Sequence, residues 1–199
     1  MIINLALLVV LLVVVAASFR GSLVQAMMMY FNVLLAASFA TAWYETLTAY
    51  LERYLAPYTY FLDVISLWIC FAVILIVLVT VTSQLFKTRV NKVLFVPPVE
   101  LAGRILVGLM TGWVVVEFTA LSLHTAPLRN DIVPMPPNGS MLFGLKPDRC
   151  WLWWVRGSSR NGPFGVTESA FDPAEDFLER HQKRREAISK EESIIRPES

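Results

Sequence analysis

Long charge-free segments separated by short polar links fill the first two-thirds of this chain. Residues 1–123 carry only 11 of the 33 Asp, Glu, Lys and Arg side chains. The longest apolar runs are residues 1–18, 22–44, 64–86 and 101–123. The last run contains Arg104 near one end and Glu117 inside. Because a helix needs about 20 apolar residues to cross a bilayer core, the pattern predicts four transmembrane helices.

The composition favours the same class of protein. Of the 199 residues, 56% are hydrophobic, and the mean hydropathy is +0.56. A soluble domain would have to bury four apolar helices in one small core, whereas a bilayer accepts helices that satisfy their own backbone hydrogen bonds. The sequence therefore predicts an all-α polytopic membrane protein, with a four-helix transmembrane domain over residues 1–125 and a water-soluble tail over 126–199. Residues 1–17 lack the preceding Lys or Arg of a signal peptide, so we expect the first helix to be retained.

The links between the apolar runs carry structural signals of their own. Arg20 and Gly21 join the first two runs, and this short link predicts a tight hairpin in which Gly21 supplies the turn. Residues 45–58 combine helical apolar spacing with many aromatic rings, which predicts an amphipathic helix on the membrane surface that ends at Pro57. Asp63 then lies near the start of the third helix, where we expect it to cap the helix or to complement its dipole.

Positive charges orient the molecule. Arg20 lies in the first link, and Lys87, Arg89 and Lys92 lie in the third, whereas the second link is net acidic. Cytoplasmic links are enriched in Lys and Arg. The sequence therefore predicts a multi-pass protein of the bacterial cytoplasmic (inner) membrane with both termini outside the cytoplasm.

The fourth apolar run contains two unusual features. Gly108 and Gly112 form a GxxxG motif, which lets another helix approach closely. That helix could belong to the same bundle or to another copy of the chain. Glu117 lies roughly 20 Å along the helix from Arg104, inside the hydrocarbon, where a carboxyl group is costly and faces a partner or a water-filled cavity. Glu117 could therefore line a polar path or make a purely structural contact.

The tail divides into three parts. Residues 124–149 are rich in Pro and read as a linker. Residues 151–154 have the sequence Trp-Leu-Trp-Trp, which predicts either a return to the membrane interface or packing against the bundle. Asp172 and Pro173 then match a helix start, with Asp as the cap and Pro in the first turn. We expect a solvated helix from there to about Lys190.

The chain lacks signatures of catalysis or of ligand chemistry. The net charge is +1, and residues 1–123 contain no basic run that would suggest nucleic acid. Cys70, Cys150, His124 and His181 have no metal-binding spacing. No serine lies in a nucleophile-elbow context. We therefore expect no enzymatic activity, no cofactor and no metal, with the lipid bilayer as the main partner.

The layout resembles the colicin V production protein (CvpA) family of bacterial inner-membrane proteins. The matching segments are Phe19-Arg20-Gly21-Ser22-Leu23 and Gly108-Leu109-Met110-Thr111-Gly112, and the resemblance covers residues 1–125. The chain has Asn4 where the family often has Asp near the N-terminus, and Arg104 where a small residue is common. The resemblance implies a non-catalytic role in toxin or peptide export or in envelope homeostasis, with a homo-oligomer or secretion proteins as partners. A small oligomeric channel or transporter that uses Glu117 is the alternative.

Overall fold

The computed structural model describes residues 2–18, 21–54, 59–89, 96–126, 141–161, 171–172 and 174–195. All regular secondary structure in these residues is helical. The α-helices are α1 (Ile2–Ser18), α2 (Leu23–Glu52), α3 (Thr59–Arg89), α4 (Pro97–Thr125), α5 (Pro147–Asn161) and α6 (Phe177–Ile195). A short 3-10 helix, Leu142–Gly144, precedes α5.

Three of the helices are long and apolar enough to cross a membrane. They are Leu23–Glu52, Phe61–Leu85 and Pro97–Thr125. Helix α1 is equally apolar, but it has only 17 residues, slightly fewer than a bilayer core requires. The all-helical class is therefore confirmed, and three helices that could cross a membrane are present among the described residues. A fourth complete span stays a prediction.

The four apolar helices pack as two antiparallel pairs. Helix α2 lies along α3, where Asn32 Nδ2 donates a hydrogen bond to Thr82 Oγ1 at 2.9 Å. Helix α1 lies along α4, and its Leu7 packs in one cluster with Val116 and Ala120. The start of α1 and the end of α4 consequently lie at the same end of the bundle, which we call the tail end.

The predicted surface helix over residues 45–58 is wrong for its first part. Residues 45–52 continue α2 without a break, because neither Gly nor Pro interrupts them. Thr48 of this extension is buried, as is Tyr44 just before it, so one face of the extension packs against other elements. Residues 55–58, including Pro57, lie outside the described residues.

The last helix also differs from its prediction. It begins at Phe177 and ends at Ile195, not at Asp172 and Lys190. Asp172 does act as a cap, because its Oδ1 accepts the backbone N–H groups of Asp176 at 3.0 Å and Phe177 at 3.1 Å. At Glu175 the φ is +58°, which is not a helical value, so the helix begins only after this residue.

Helix α6 is not solvated on all sides. Phe177, His181 and Arg185 recur at intervals of four residues and are all buried. Side chains four apart share one helical face, so this face is the one that docks. Phe177 joins the same hydrophobic cluster as Phe118 and Trp151, which makes the tail part of the folded core.

Candidate functional site

Helix α4 turns Gly108 and Gly112 toward α1. A Cβ atom on Gly108 would lie 3.0 Å from Cβ of Ser18, and one on Gly112 would lie 2.7 Å from Cδ1 of Leu11 and 3.3 Å from its carbonyl oxygen. Helices approach this closely only where a side chain is missing. The structure thus uses both glycines for packing inside one chain.

Glu117 lies on another side of α4. Its side chain is only 8% exposed and makes a hydrogen bond with Trp113, one turn earlier. Asn32, a polar residue of α2, bonds to Thr82 of α3. Glu117 faces an open groove of about 900 Å³ between α1, α2, α4 and α5. The carboxyl group is therefore placed where an apolar ligand could meet it.

Helix α5 forms one wall of this groove. Trp151 Nε1 donates to Thr41 Oγ1 at 3.0 Å, and Trp154 Nε1 donates to Ser38 Oγ at 3.3 Å. Both hydroxyls also donate to carbonyls one turn earlier in α2, so each one bonds twice. The indole N–H of Trp151 is buried and needs such a partner. Together with the bond of the partly exposed Trp154, it fixes α5 across α2. The Trp segment therefore packs against the bundle, which was one of its two predicted placements.

A buried hydrogen bond holds the start of α5 on the end of α4. His124 Nε2 lies 3.1 Å from Asp148 Oδ2, and both residues are buried. Arg185 of α6 approaches from the other side and donates to the His124 carbonyl at 3.5 Å. The two tail helices are thus joined to α4 at the same point.

One end of the groove is apolar. Leu11, Leu34, Leu106, Leu109 and Met110 line it. From Leu106 to Glu117 the groove follows α4 for about 16 Å. Leu106 is 61% exposed, so this end opens sideways, toward where lipid tails would surround the bundle. We call it the apolar end.

The other end of the groove is polar. Glu117, Lys146, Arg149 and Cys150 line it together. Partial burial raises the pKa of the Cys150 thiol, and the negative charges of Glu117 and Asp148 raise it further. We call this the polar end. The groove therefore has an apolar part and a polar part, as an amphiphilic molecule does.

A second, smaller cleft of about 220 Å³ lies at the tail end, where α2, α3 and α6 meet. Asp63 lines it and makes an ion pair with Arg184 of α6. Its predicted role as a cap is wrong, because α3 begins a full turn earlier, at Thr59. His181 lines the same cleft, and burial lowers its pKa. This cleft therefore lies where α6 packs against α2 and α3.

The link between α1 and α2 is fixed by side chains. Arg104 Nη1 donates to the Gly21 carbonyl at 2.8 Å, and its Nη2 lies 3.8 Å from Oε1 of Glu100, one turn earlier in α4. Ser22 and Gln25 form a capping box at the start of α2. Arg20, the other residue predicted for the hairpin turn, lies outside the described residues.

Sequence reasoning missed the residues that shape the groove. Lys146, Arg149 and Ser38 were not singled out. A signal existed for the first two, because these two cationic residues are closely followed by three Trp within residues 146–154, a composition typical of membrane interfaces. No pattern marked the bonds of Ser38 and Thr41 to α5, since their partners lie more than 100 positions away.

Within the described part of the chain, no three His, Cys, Asp or Glu side chains are grouped so that they could hold a metal ion. No protein-family model, no curated protein and no solved structure matches this chain. The resemblance to colicin V production proteins therefore stays a prediction.

Proposed function

We propose that this chain is a non-catalytic membrane protein that holds an amphiphilic molecule in the groove beside Glu117, and that it thereby assists peptide export or envelope homeostasis. The observation that carries the proposal is the groove itself. Its apolar end opens sideways and its other end carries polar groups, which matches a molecule with an apolar chain and a polar head. Ligand sites are generally concave, mostly apolar and supplied with a few polar groups.

The chemistry of the polar end supports binding over catalysis. Catalysis by a nucleophile needs a base within hydrogen-bond distance of it. Among the described residues, the hydrogen bond given for Cys150 Sγ is a long one of 4.0 Å to the Leu145 carbonyl, which is not a base. The Glu117 carboxyl group bonds to an indole. The arrangement therefore supplies contacts for a ligand, and we propose no reaction.

Complementation of a strain that lacks the chain tests the proposal. Met110→Trp fills the apolar end of the groove and should fail to restore envelope-stress resistance or peptide export. Ile76→Trp is the matched control, because Ile76 is 64% exposed on α3 and does not line the groove. Equal complementation by the two variants, or a deletion without phenotype, would contradict the proposal.

A second candidate is a small oligomeric channel or transporter. The observation that favours it is the contact of Glu117 with an open space of about 900 Å³, since intramembrane carboxyl groups often mark ion or proton paths. Purified protein in liposomes should then conduct, and Glu117→Gln should change the conductance. Absence of flux in both proteins would exclude this candidate.

We also propose the orientation that the charge pattern predicts, with both termini outside the cytoplasm of a bacterial cell. Reporter fusions test it. A reporter active only outside the cytoplasm should be active after Ser199 and silent at Asn91. The reverse result would invert the orientation without affecting the groove.

A further inference from the structure

Two cationic side chains lie together at the polar end of the groove. Lys146 immediately precedes α5, and Arg149 lies in the first turn of that helix. The Lys146 carbonyl accepts the backbone N–H groups of Arg149 at 3.1 Å and Cys150 at 3.3 Å. The two cations are therefore held on one short, hydrogen-bonded unit.

The segment that leads to Lys146 adopts an unfavourable backbone. Leu142, Phe143 and Lys146 have φ values of +47°, +56° and +50°, a region that side chains other than Gly seldom occupy. Contacts with the bundle maintain it, because the Leu142 N–H donates to Asn4 Oδ1 at 2.9 Å and Met141 is buried. Strain of this kind persists where the surrounding structure imposes it, often at functional sites. The bundle thus fixes the backbone position of the segment that carries Lys146.

Resting on the proposed function, we infer that the groove binds a phospholipid with an anionic headgroup, whose phosphate contacts Lys146 and Arg149 while an acyl chain lies along α4. Phosphate oxygens form strong charge-assisted hydrogen bonds with ammonium and guanidinium groups. The only other charged side chain among the described lining residues is Glu117, which can accept a hydrogen bond from a headgroup hydroxyl. The charges of the polar end therefore favour an anionic head that carries hydroxyl groups.

The neighbouring tryptophans fit the same ligand. Trp153 is 77% exposed and Trp154 is 41% exposed, and both line the groove. Indole rings favour the headgroup level of a membrane. Lys146 and Arg149 would then lie at the depth of the phosphate groups, and the apolar end at the depth of the acyl chains. A lipid would enter from the side without leaving the bilayer.

Binding of two lipids with identical acyl chains tests the inference. Protein in detergent is titrated with phosphatidylglycerol or phosphatidylcholine that carries a photoreactive acyl chain, and cross-links are located by mass spectrometry. We expect cross-links in α4 and α5, with phosphatidylglycerol bound more tightly. Lys146→Gln and Arg149→Gln should each weaken phosphatidylglycerol about five-fold, the effect of one cation near a lipid surface. They should weaken phosphatidylcholine less, because its choline cation offsets the charge of its phosphate.

Lys183→Gln is the matched control, because Lys183 loses the same charge from an exposed position on α6. Equal affinities for the two lipids, or an equal effect of Lys183→Gln, would overturn the headgroup inference while groove cross-links still supported the proposed function. Full competition by soluble glycerol phosphate would overturn it too, because the ligand would then be a free phosphate ester. Displacement by an apolar peptide would identify a different occupant and overturn it. Absence of groove cross-links with both lipids would overturn the inference and the proposed function together.

Discussion

Substitution of Gly112 probes the close approach of α1 and α4. In Gly112→Leu, even the first added carbon lies 2.7 Å from Leu11 Cδ1 and 3.3 Å from the Leu11 carbonyl oxygen, whereas carbon contacts are optimal at about 3.5–4.0 Å. The Leu11 methyl group can rotate away, but the carbonyl moves only with the α1 backbone. Overpacking of this kind costs about 1–3 kcal/mol. We therefore expect Gly112→Leu to lower the unfolding free energy in detergent by that amount.

Gly157 provides the matched control. It lies in α5, and a Cβ atom there would meet nothing within 4 Å. Gly157→Ala should stabilise the protein by about 0.5–1 kcal/mol, because Ala is the better helix former. Gly112→Ala should not show this stabilisation, because its added Cβ atom would lie too close to Leu11. Unfolding is followed by circular dichroism in a denaturant series. If Gly112→Leu kept the wild-type stability but reduced the particle mass, the glycines would join copies of the chain, and the intrachain account would be wrong.

Three further expectations concern the tail. Trp151→Phe removes the bond to Thr41 and should cost about 1 kcal/mol in the same unfolding assay; no change would mean that the bond contributes nothing. Arg184→Gln removes the ion pair with Asp63 and should speed proteolytic release of α6, an effect that Lys183→Gln should not reproduce. Because burial lowers the pKa of His181, the docked tail favours the neutral imidazole. Docking should be fully stable above the unfolded pKa of about 6.5 and weaken as the pH falls below it, so proteolytic release that did not increase at pH 5 would contradict this account.

The sequence was most informative where one local signal dominated. The uninterrupted apolar run at 64–86 predicted most of α3, and the run at 101–123 predicted most of α4. Length alone left α1 undecided, because 17 residues lie just below the span of a bilayer. The aromatic residues of 45–54 suggested a separate helix at the membrane interface. In the structure α2 continues to Glu52, and Tyr44 and Thr48 are buried against neighbouring elements.

The candidate site was predictable only in part. Glu117 stood out because a carboxyl group within an apolar run is costly. The groove around it depends on α5 crossing α2, and the two bonds that fix this crossing join residues 110 and 116 positions apart. The ion pair between Asp63 and Arg184 spans 121 positions. Contacts of such separation leave no periodic pattern in a single sequence.

The groove beside Glu117 is the centre of this account, and native mass spectrometry of the purified protein tests it most directly. After delipidation, the wild-type chain and Ile76→Trp should each retain one tightly bound amphiphile. Met110→Trp should lose it, because the added indole fills the apolar end of the groove. Equal retention by all three proteins, or no bound amphiphile in the wild type, would contradict the claim that the groove holds a ligand.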